Sequence, residues 1–181
     1  MPVPATVLDG KILEQVGTGK FVKLETTTPF SVGADNFNDD NLYAFDEDQN
    51  ILVDTPLRVD IGGTNGTIPR GTIIASHYVF FDSWGRNLRP QYGYVDFDAP
   101  ILGVATTERT MAATDFLANT SVRYISAELR GLEEGDSVKL DRDHPNRLWV
   151  RWAASTPGDY IRVFTQMSPS AMQQPNAITG Q

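Results

Sequence analysis

The chain has 181 residues, of which 40% are hydrophobic and 10% aromatic, and this composition predicts one β-rich globular domain rather than a disordered chain. Its formal charge of −8 disfavours duplex nucleic acid as a partner, because binding the phosphates requires a basic surface. The absence of cysteine excludes disulfides, thiolate nucleophiles and cysteine-based zinc sites.

The termini predict no export or membrane segment. The first residues lack the basic and long apolar stretches of a secretory signal, and no apolar run approaches the roughly 18 residues of a membrane span. We therefore expect a protein that is made in the cytoplasm and acts there, or leaves the cell by lysis.

Residues 1–19 are predicted to form an extended N-terminal arm, and residues 167–181 a polar C-terminal tail. The arm contains five glycine and proline residues around the apolar pair Ile12 and Leu13, and the tail is rich in Ser, Pro, Gln and Asn. The folded domain is accordingly predicted to span residues 20–166.

The segment from residue 35 to residue 50 is the most polar part of the chain. We expect a strand over 41–45 with acidic turns at both ends. Five of its carboxylates could hold calcium, which prefers oxygen ligands, although their spacing is not that of an EF-hand loop. These residues are Asp35, Asp39, Asp40, Asp46 and Asp48. The alternative is that they are ordinary acidic turns on a solvated surface.

The central strand signals lie between residues 71 and 106. The run 72–81 is β-branched and aromatic with apolar residues on both faces, which predicts a strand buried on both sides or packed in a sandwich core. In the next run, Val95 and Phe97 alternate with polar residues, which is typical of a strand with one wet face.

The remainder of the domain continues this pattern. Residues 111–117 predict one or two helical turns, with Thr110 or Thr114 as N-cap. The runs 136–141, 147–153 and 159–166 predict strands, and about nine short strands with frequent turn signals favour an all-β fold, an antiparallel β-sandwich or jelly roll.

No motif for catalysis is present. The two histidines, His77 in mid-strand and His144 in a turn, are interpreted as structural, and the chain lacks a nucleophile elbow, a phosphate loop and a metalloprotease motif. Asp96 and Asp98 share a strand face but are interpreted as solvated side chains. We therefore do not expect an enzyme.

Aromatic residues in polar surroundings suggest a binding role instead. Trp84, Tyr92, Tyr94 and Tyr43 could stack on sugar rings, and Trp84 is the strongest candidate. The alternative for Trp84 is packing on a sheet end or on a partner subunit.

Several motifs recur in an order that resembles a known module. They are 40–50 DNLYAFDEDQN, 59–61 VDI, 68–82 IPRGTIIASHYVFFD, 95–104 VDFDAPILGV, 130–136 RGLEEGD and 155–163 STPGDYIRV. Over residues 35–166 the chain resembles a β-sandwich module of secreted bacterial proteins, many of which carry a C-terminal sorting signal. The resemblance implies a sandwich without a catalytic motif.

At its ends the chain departs from those proteins, with the arm and the polar tail in place of a signal peptide and an apolar anchor. In overall style it is similar to the decoration (cement) proteins of bacteriophage heads. The leading expectation is thus a non-enzymatic virion protein that is made in the host cytoplasm and binds the major capsid protein and itself, often as a trimer in such proteins.

The expected contacts under this hypothesis are the apolar arm residues and the loop tryptophan: Val7, Ile12, Leu13, Val16 and Trp84. The alternative hypothesis is an extracellular glycan- or matrix-binding module. Neither hypothesis involves nucleic acid, a membrane or a cofactor other than calcium.

Overall fold

The protein was analysed as a computed structural model that describes residues 7–85, 87–154 and 158–168. The strands are β1 Val7–Gln15, β2 Phe21–Lys23, β3 Phe30–Val32, β4 Leu42–Asp46, β5 Ile51–Leu52, β6 Leu57–Arg58, β7 Ile61–Gly62, β8 Thr67–Ile68, β9 Ile73–Phe81, β10 Arg89–Phe97, β11 Ile101–Ala105, β12 Val122–Tyr124, β13 Ser137–Leu140, β14 Arg147–Ala154 and β15 Asp159–Gln166. One α-helix, α1, spans Glu108–Ala113. The predicted tail, from residue 169 onward, lies outside the described residues.

Two main sheets build the fold. The first has four strands in the order β1-β10-β14-β13, all antiparallel. The second has seven strands, with the order β2-β4-β9-β15-β11-β7 and β5 paired beside β4 on β9. Parallel pairing occurs between β2 and β4 and between β3 and β12. The prediction of an all-β sandwich is confirmed.

The central strand β9 is buried on both faces. Val79 and Phe81 belong to the apolar cluster between the two main sheets. Ile74, Tyr78 and Phe80 point to the opposite side, into a second cluster that also contains residues of α1 and β12. The prediction of a doubly buried strand is confirmed, because a third layer of short elements covers the outer side of the seven-stranded sheet.

The four-stranded sheet has one buried face. Val95 and Phe97 of β10 are completely buried, and so are the alternate residues Leu148 and Val150 of β14. The residues between them are partly or largely exposed. The predicted alternation is therefore correct, and it leaves a broad outward face on this sheet.

The predicted arm differs from the structure. Residues 7–15 form an edge strand that pairs with β10, with two register shifts, and Val7 is completely buried. Gly93 of β10 allows this close pairing, since a Cβ there would lie 2.3 Å from the carbonyl oxygen of Lys11. The sandwich therefore begins before residue 20. The glycine content of residues 1–19 predicted an isolated arm. In the structure, the edge of β10 supplies the hydrogen bonds that residues 7–15 cannot make alone.

The helix begins earlier than predicted. Thr107 is the N-cap of α1, and its hydroxyl accepts a hydrogen bond from the Thr110 amide at 3.2 Å. Asp115–Leu117 continues as a 3₁₀ turn rather than as the body of the helix. Within the described ranges, no helix is long and apolar enough to cross a membrane.

A buried ion pair fixes the third layer to the sheet. Arg162 of β15 and Glu47, which follows β4, both have fully buried side chains, and Arg162 Nε lies 2.7 Å from Glu47 Oε1. The hydroxyls of Ser76 and Tyr124 donate to the same carboxylate at 2.9 and 2.6 Å. Arg162 Nη1 also donates to the Met111 carbonyl oxygen of α1 at 2.9 Å.

The role of β1 can be tested with two substitutions on one strand. Val7→Ala removes completely buried apolar volume, so we expect the free energy of unfolding to fall by roughly 2 kcal/mol. Leu13→Ala is the matched control, because Leu13 is 44% exposed, and we expect a change within about 0.5 kcal/mol. Urea denaturation measures both, and equal stability of the two variants would place β1 outside the cooperative unit.

The buried ion pair predicts non-additive effects. Arg162→Met leaves the Glu47 carboxylate buried without its cation, so we expect unfolding free energy to fall by about 3–5 kcal/mol. Glu47→Met together with Arg162→Met removes both charges, and we expect this double variant to be more stable than Arg162→Met. Denaturant melts of the single and double variants measure this difference. A double variant that is less stable than either single variant would contradict the argument.

Candidate binding face on the four-stranded sheet

The outward face of the four-stranded sheet collects aromatic and basic residues. Tyr92 and Tyr94 of β10 are directly opposite Arg151 and Trp149 of β14 in the antiparallel register. Successive side chains of a strand point to opposite faces of the sheet. Because the residues before and after them in the strands are buried, the side chains of these residues face solvent. Cross-strand pairing therefore assembles a row of rings and guanidinium groups.

The three rings pack against one another. Trp149 stacks on Tyr92 with the ring centroids 5.4 Å apart and the planes inclined by 17°. It meets Tyr94 edge to face at 5.1 Å. The indole Nε1 of Trp149 donates to Asp141 Oδ2 at 2.7 Å, which fixes the ring orientation. The three rings thus form a preformed aromatic surface.

Two arginines flank this surface in different ways. Arg147 lies 3.8 Å from the Tyr94 ring centroid and donates to both carboxylate oxygens of Asp96, at 2.8 and 3.0 Å. Arg151 lies 4.0 Å from the Tyr92 ring centroid and is exposed. Among the described residues Arg151 has no carboxylate within ion-pair distance, so its charge is available to a ligand.

A groove of about 420 Å³ lies beside the rings. Its wall includes the rings of Tyr92 and Trp149 and four charged side chains: Lys139, Asp141, Arg142 and Arg151. Three of these six are basic, in a chain whose net charge is −8. The groove is therefore a local exception to the acidic surface.

Asp141 is the acceptor in this groove. The hydrogen bond from Trp149, followed by that from the Asp143 amide, holds the pKa of Asp141 well below its usual range. It therefore remains ionised at ordinary pH and can accept hydrogen bonds from hydroxyl groups. Lys139, Arg142 and Arg151 supply donors around it, so the groove presents both partners that a polyhydroxylated ligand requires.

The aromatic residues singled out from the sequence have different positions. Tyr92 and Tyr94 lie in the row. Trp84 lies in the loop between β9 and β10, is 56% exposed and has Arg89 5.3 Å from its ring centroid. Tyr43 is buried and stacks on Phe80 at 5.0 Å, so it does not offer a platform to a sugar.

The predicted contacts of the N-terminal segment divide into two groups. Val7 is buried in the core, and Ile12 is partly buried against it. Leu13 and Val16 are 44% and 48% exposed, and Leu8 in the same segment is 58% exposed. The exposed apolar residues of this edge are thus Leu8, Leu13 and Val16.

The five acidic residues proposed for calcium have separate partners. Asp39 accepts hydrogen bonds from the Asn41 amide and the Tyr43 hydroxyl. Asp40 forms a bidentate pair with Arg89, with distances of 2.6 and 2.8 Å. Asp46 accepts from the Val7 amide at 3.0 Å.

The other two carboxylates do not complete a cluster. Asp35 occupies a turn with φ of 58°, and burial followed by the charge of Glu47 raises the pKa of Asp48. In the part of the chain that the structure describes, no group of three or more His, Cys, Asp or Glu side chains could hold a metal ion. Turns and separate hydrogen bonds, several of them to residues distant in the chain, thus involve these carboxylates.

His77 forms a buried chain of hydrogen bonds. Its Nδ1 lies 2.9 Å from Asp46 Oδ1 and its Nε2 lies 2.9 Å from Thr165 Oγ1. This order resembles a catalytic relay, but His77 and Thr165 are both completely buried. A nucleophile must reach its substrate, so the interpretation of His77 as a structural histidine is confirmed. His144 is exposed in a turn beside Asp141.

Sequence reasoning did not select Trp149, Arg147 or Arg151 as binding residues. The available signal was their alternation with buried Leu148, Val150 and Trp152, which placed them on the outward face. The register that sets them opposite Tyr92 and Tyr94 is visible only in the fold.

Comparison of the chain with models of protein families, with curated proteins and with solved structures finds no match.

Proposed function

We propose that this protein is a non-catalytic binding protein whose four-stranded sheet holds an extended acidic glycan on its outward face. The observation that carries the proposal is the row of Tyr92, Tyr94 and Trp149 beside a basic groove. Rings that are already packed and oriented lose little conformational freedom when a ligand binds.

The chemistry of a sugar fits this arrangement. One face of a pyranose presents C–H groups, which pack on an aromatic ring, while its hydroxyls extend sideways. The Trp149 and Tyr92 rings offer apolar contact, and Asp141 and Lys139 line the same groove and can bond to hydroxyls. The outward face of a sheet is not closed at either end, so a polysaccharide chain can continue beyond it. This favours a polysaccharide over a single sugar as the ligand.

The charge of the groove favours an acidic glycan. Arg151 has no carboxylate partner among the described residues, and Arg142 and Lys139 lie beside it. A guanidinium group pairs well with carboxylate or sulfate because its donors match their geometry. The resemblance of the sequence to modules of secreted bacterial proteins implies an extracellular setting for such a ligand.

The test uses alginate as the acidic polysaccharide and neutral dextran as its counterpart. Native gel electrophoresis with alginate in the gel should retard the protein, and Trp149→Ala should weaken this binding by about tenfold or more, because it removes the central ring. Arg151→Gln should weaken binding and reduce its dependence on salt.

Two exposed aromatic residues away from the groove serve as matched controls. Trp84→Ala and Phe116→Ala remove side chains that are 56% and 66% exposed, and we expect unchanged retardation. If Trp84→Ala abolishes binding while Trp149→Ala does not, the site lies on the loop after β9. If no acidic or neutral glycan on an array binds saturably, the proposed function is wrong.

A second candidate function is decoration of a bacteriophage head, and the exposed edge of β1 favours it. β1 is the terminal strand of its sheet, and an edge strand leaves unpaired backbone groups that another chain can use. Leu8, Leu13 and Val16 add exposed apolar surface along this edge. A second copy or a major capsid protein could dock there.

Charge substitution at the edge tests this second candidate. Leu8→Glu and Leu13→Glu place carboxylates on the edge without removing buried apolar volume, so we expect the monomer to remain folded but self-association to be lost. Light scattering measures the oligomer, and co-sedimentation with undecorated phage heads measures capsid binding. A wild-type protein that is monomeric and does not sediment with heads would exclude this function.

A further inference from the structure

The loop from Gly131 to Asp136 joins the two main sheets at one end of the sandwich. Its first residue, Gly131, donates a hydrogen bond to the seven-stranded sheet, and the Gly131 amide lies 2.8 Å from the Tyr160 carbonyl oxygen. Its last residue is tied to the four-stranded sheet, because Asp136 Oδ1 accepts from the Ala153 amide at 2.9 Å. Asp159, the first residue of β15, lies beside this loop and interacts electrostatically with both Asp136 and Glu133.

Asp159 is a buried carboxylate close to two groups that affect its pKa, the Asp136 carboxyl and the Glu133 amide. The residue is 1% exposed, and neither of its carboxylate oxygens accepts a hydrogen bond of normal geometry from a described residue. Oδ2 of Asp136 is likewise buried and unpartnered. Nearly all buried polar atoms in folded proteins are hydrogen-bonded or bind an ion, and three such oxygens at one place require an explanation.

Besides buried water, two species could satisfy these oxygens. One is a proton: burial, followed by the negative charge of Asp136, raises the pKa of Asp159 to about 9, against a smaller opposing effect of the Glu133 amide. The other is a metal cation, which replaces the missing donors and cancels the repulsion between the carboxylates. A proton and a metal cation are different ligands of these oxygens, so experiments can distinguish them.

We propose that the carboxylates of Asp136 and Asp159 bind a calcium ion that links the two sheets at this end of the sandwich. Calcium accepts a mixed set of carboxylate, carbonyl and water oxygens, whereas zinc prefers the nitrogen and sulfur ligands of His and Cys. Because no third acidic side chain completes a cluster among the described residues, backbone carbonyls and water supply the other ligands.

Such an ion is independent of the proposed glycan face. It lies between the start of β13 and the start of β15, whereas the rings lie along β10 and β14. Its role is to hold the edge strand β13 and its preceding loop against the seven-stranded sheet. The site is also separate from the acidic segment of residues 35–48, so a substitution in that segment can serve as a control.

The test is a thermal melt of the full chain in calcium and in chelator. Modules with weak calcium sites bind in the millimolar to tenth-millimolar range, so about 10 mM calcium should raise Tm by roughly 3–10 °C, and chelator should reverse the rise. Magnesium at the same concentration should have a smaller effect, because it releases its water shell reluctantly. Isothermal titration with calcium alone should give one site per chain.

Near-isosteric variants locate the ion. Asp159→Asn and Asp136→Asn should abolish the calcium-dependent rise in Tm, whereas the matched control Asp48→Asn should retain it. Asp159→Asn should still fold, since asparagine has nearly the same volume and adds no charge to this buried position. Calcium binding measured by titration keeps the test independent of stability.

Three results would overturn the proposal. An unchanged Tm in calcium, together with an Asp159→Asn variant that is at least as stable as the parent, assigns the site to a shared proton. A rise in Tm that survives both substitutions places the ion elsewhere. A rise that is lost in Asp48→Asn assigns it to the acidic segment of residues 35–48.

Discussion

The architecture depends on the buried pairing of Arg162 with Glu47. Both side chains lie in the apolar layer outside the seven-stranded sheet, where an unpaired charge would be costly. Arg162 uses its remaining donors on the Met111 carbonyl oxygen and the Thr114 hydroxyl at the end of α1. One guanidinium group therefore connects β15, the end of β4 and the helix, and it fixes how the third layer sits.

A second ion pair extends this network. Arg130 donates to both oxygens of Asp115 at 2.6 and 2.9 Å, and Asp115 also lies 3.1 Å from Arg162 Nη1. Hydrogen bonds to charged groups are directional, so the short elements between β11 and β13 have a defined position although they bury few apolar residues. The described residues thus cover both faces of the seven-stranded sheet.

The four-stranded sheet differs from the seven-stranded sheet in that one of its faces is open to solvent. It covers one side of the seven-stranded sheet with its inward residues, and its other side faces solvent. Cross-strand pairs are the units that stabilise such a face, and here they are aromatic–cation and aromatic–aromatic pairs. The same contacts that stabilise the sheet therefore create the surface on which a partner can rest. The edge strand β1 extends this sheet and exposes Leu8 and Leu13.

The sequence by itself determined the β class and the inward and outward faces of β10 and β14, and it showed that the run 72–81 is apolar on both faces. The two faces follow from a period of two residues and the buried run from a continuous apolar stretch, and both are visible in the local sequence. It also indicated that His77 is structural. The structure alone placed residues 7–15 in the sandwich, because membership of an edge strand depends on a partner that is about 80 residues away in the chain.

The candidate sites were likewise decided by tertiary structure. Trp84 was the most conspicuous aromatic residue in the sequence, yet the row of rings on the proposed binding face requires the register of β10 against β14. The acidic segment of residues 35–48 was dense in sequence but is dispersed in space by its separate partners. Asp136 and Asp159, far apart in the chain, meet only because the sheets close on each other. Periodicity fixes which face a side chain occupies, whereas long-range pairing fixes which side chains meet.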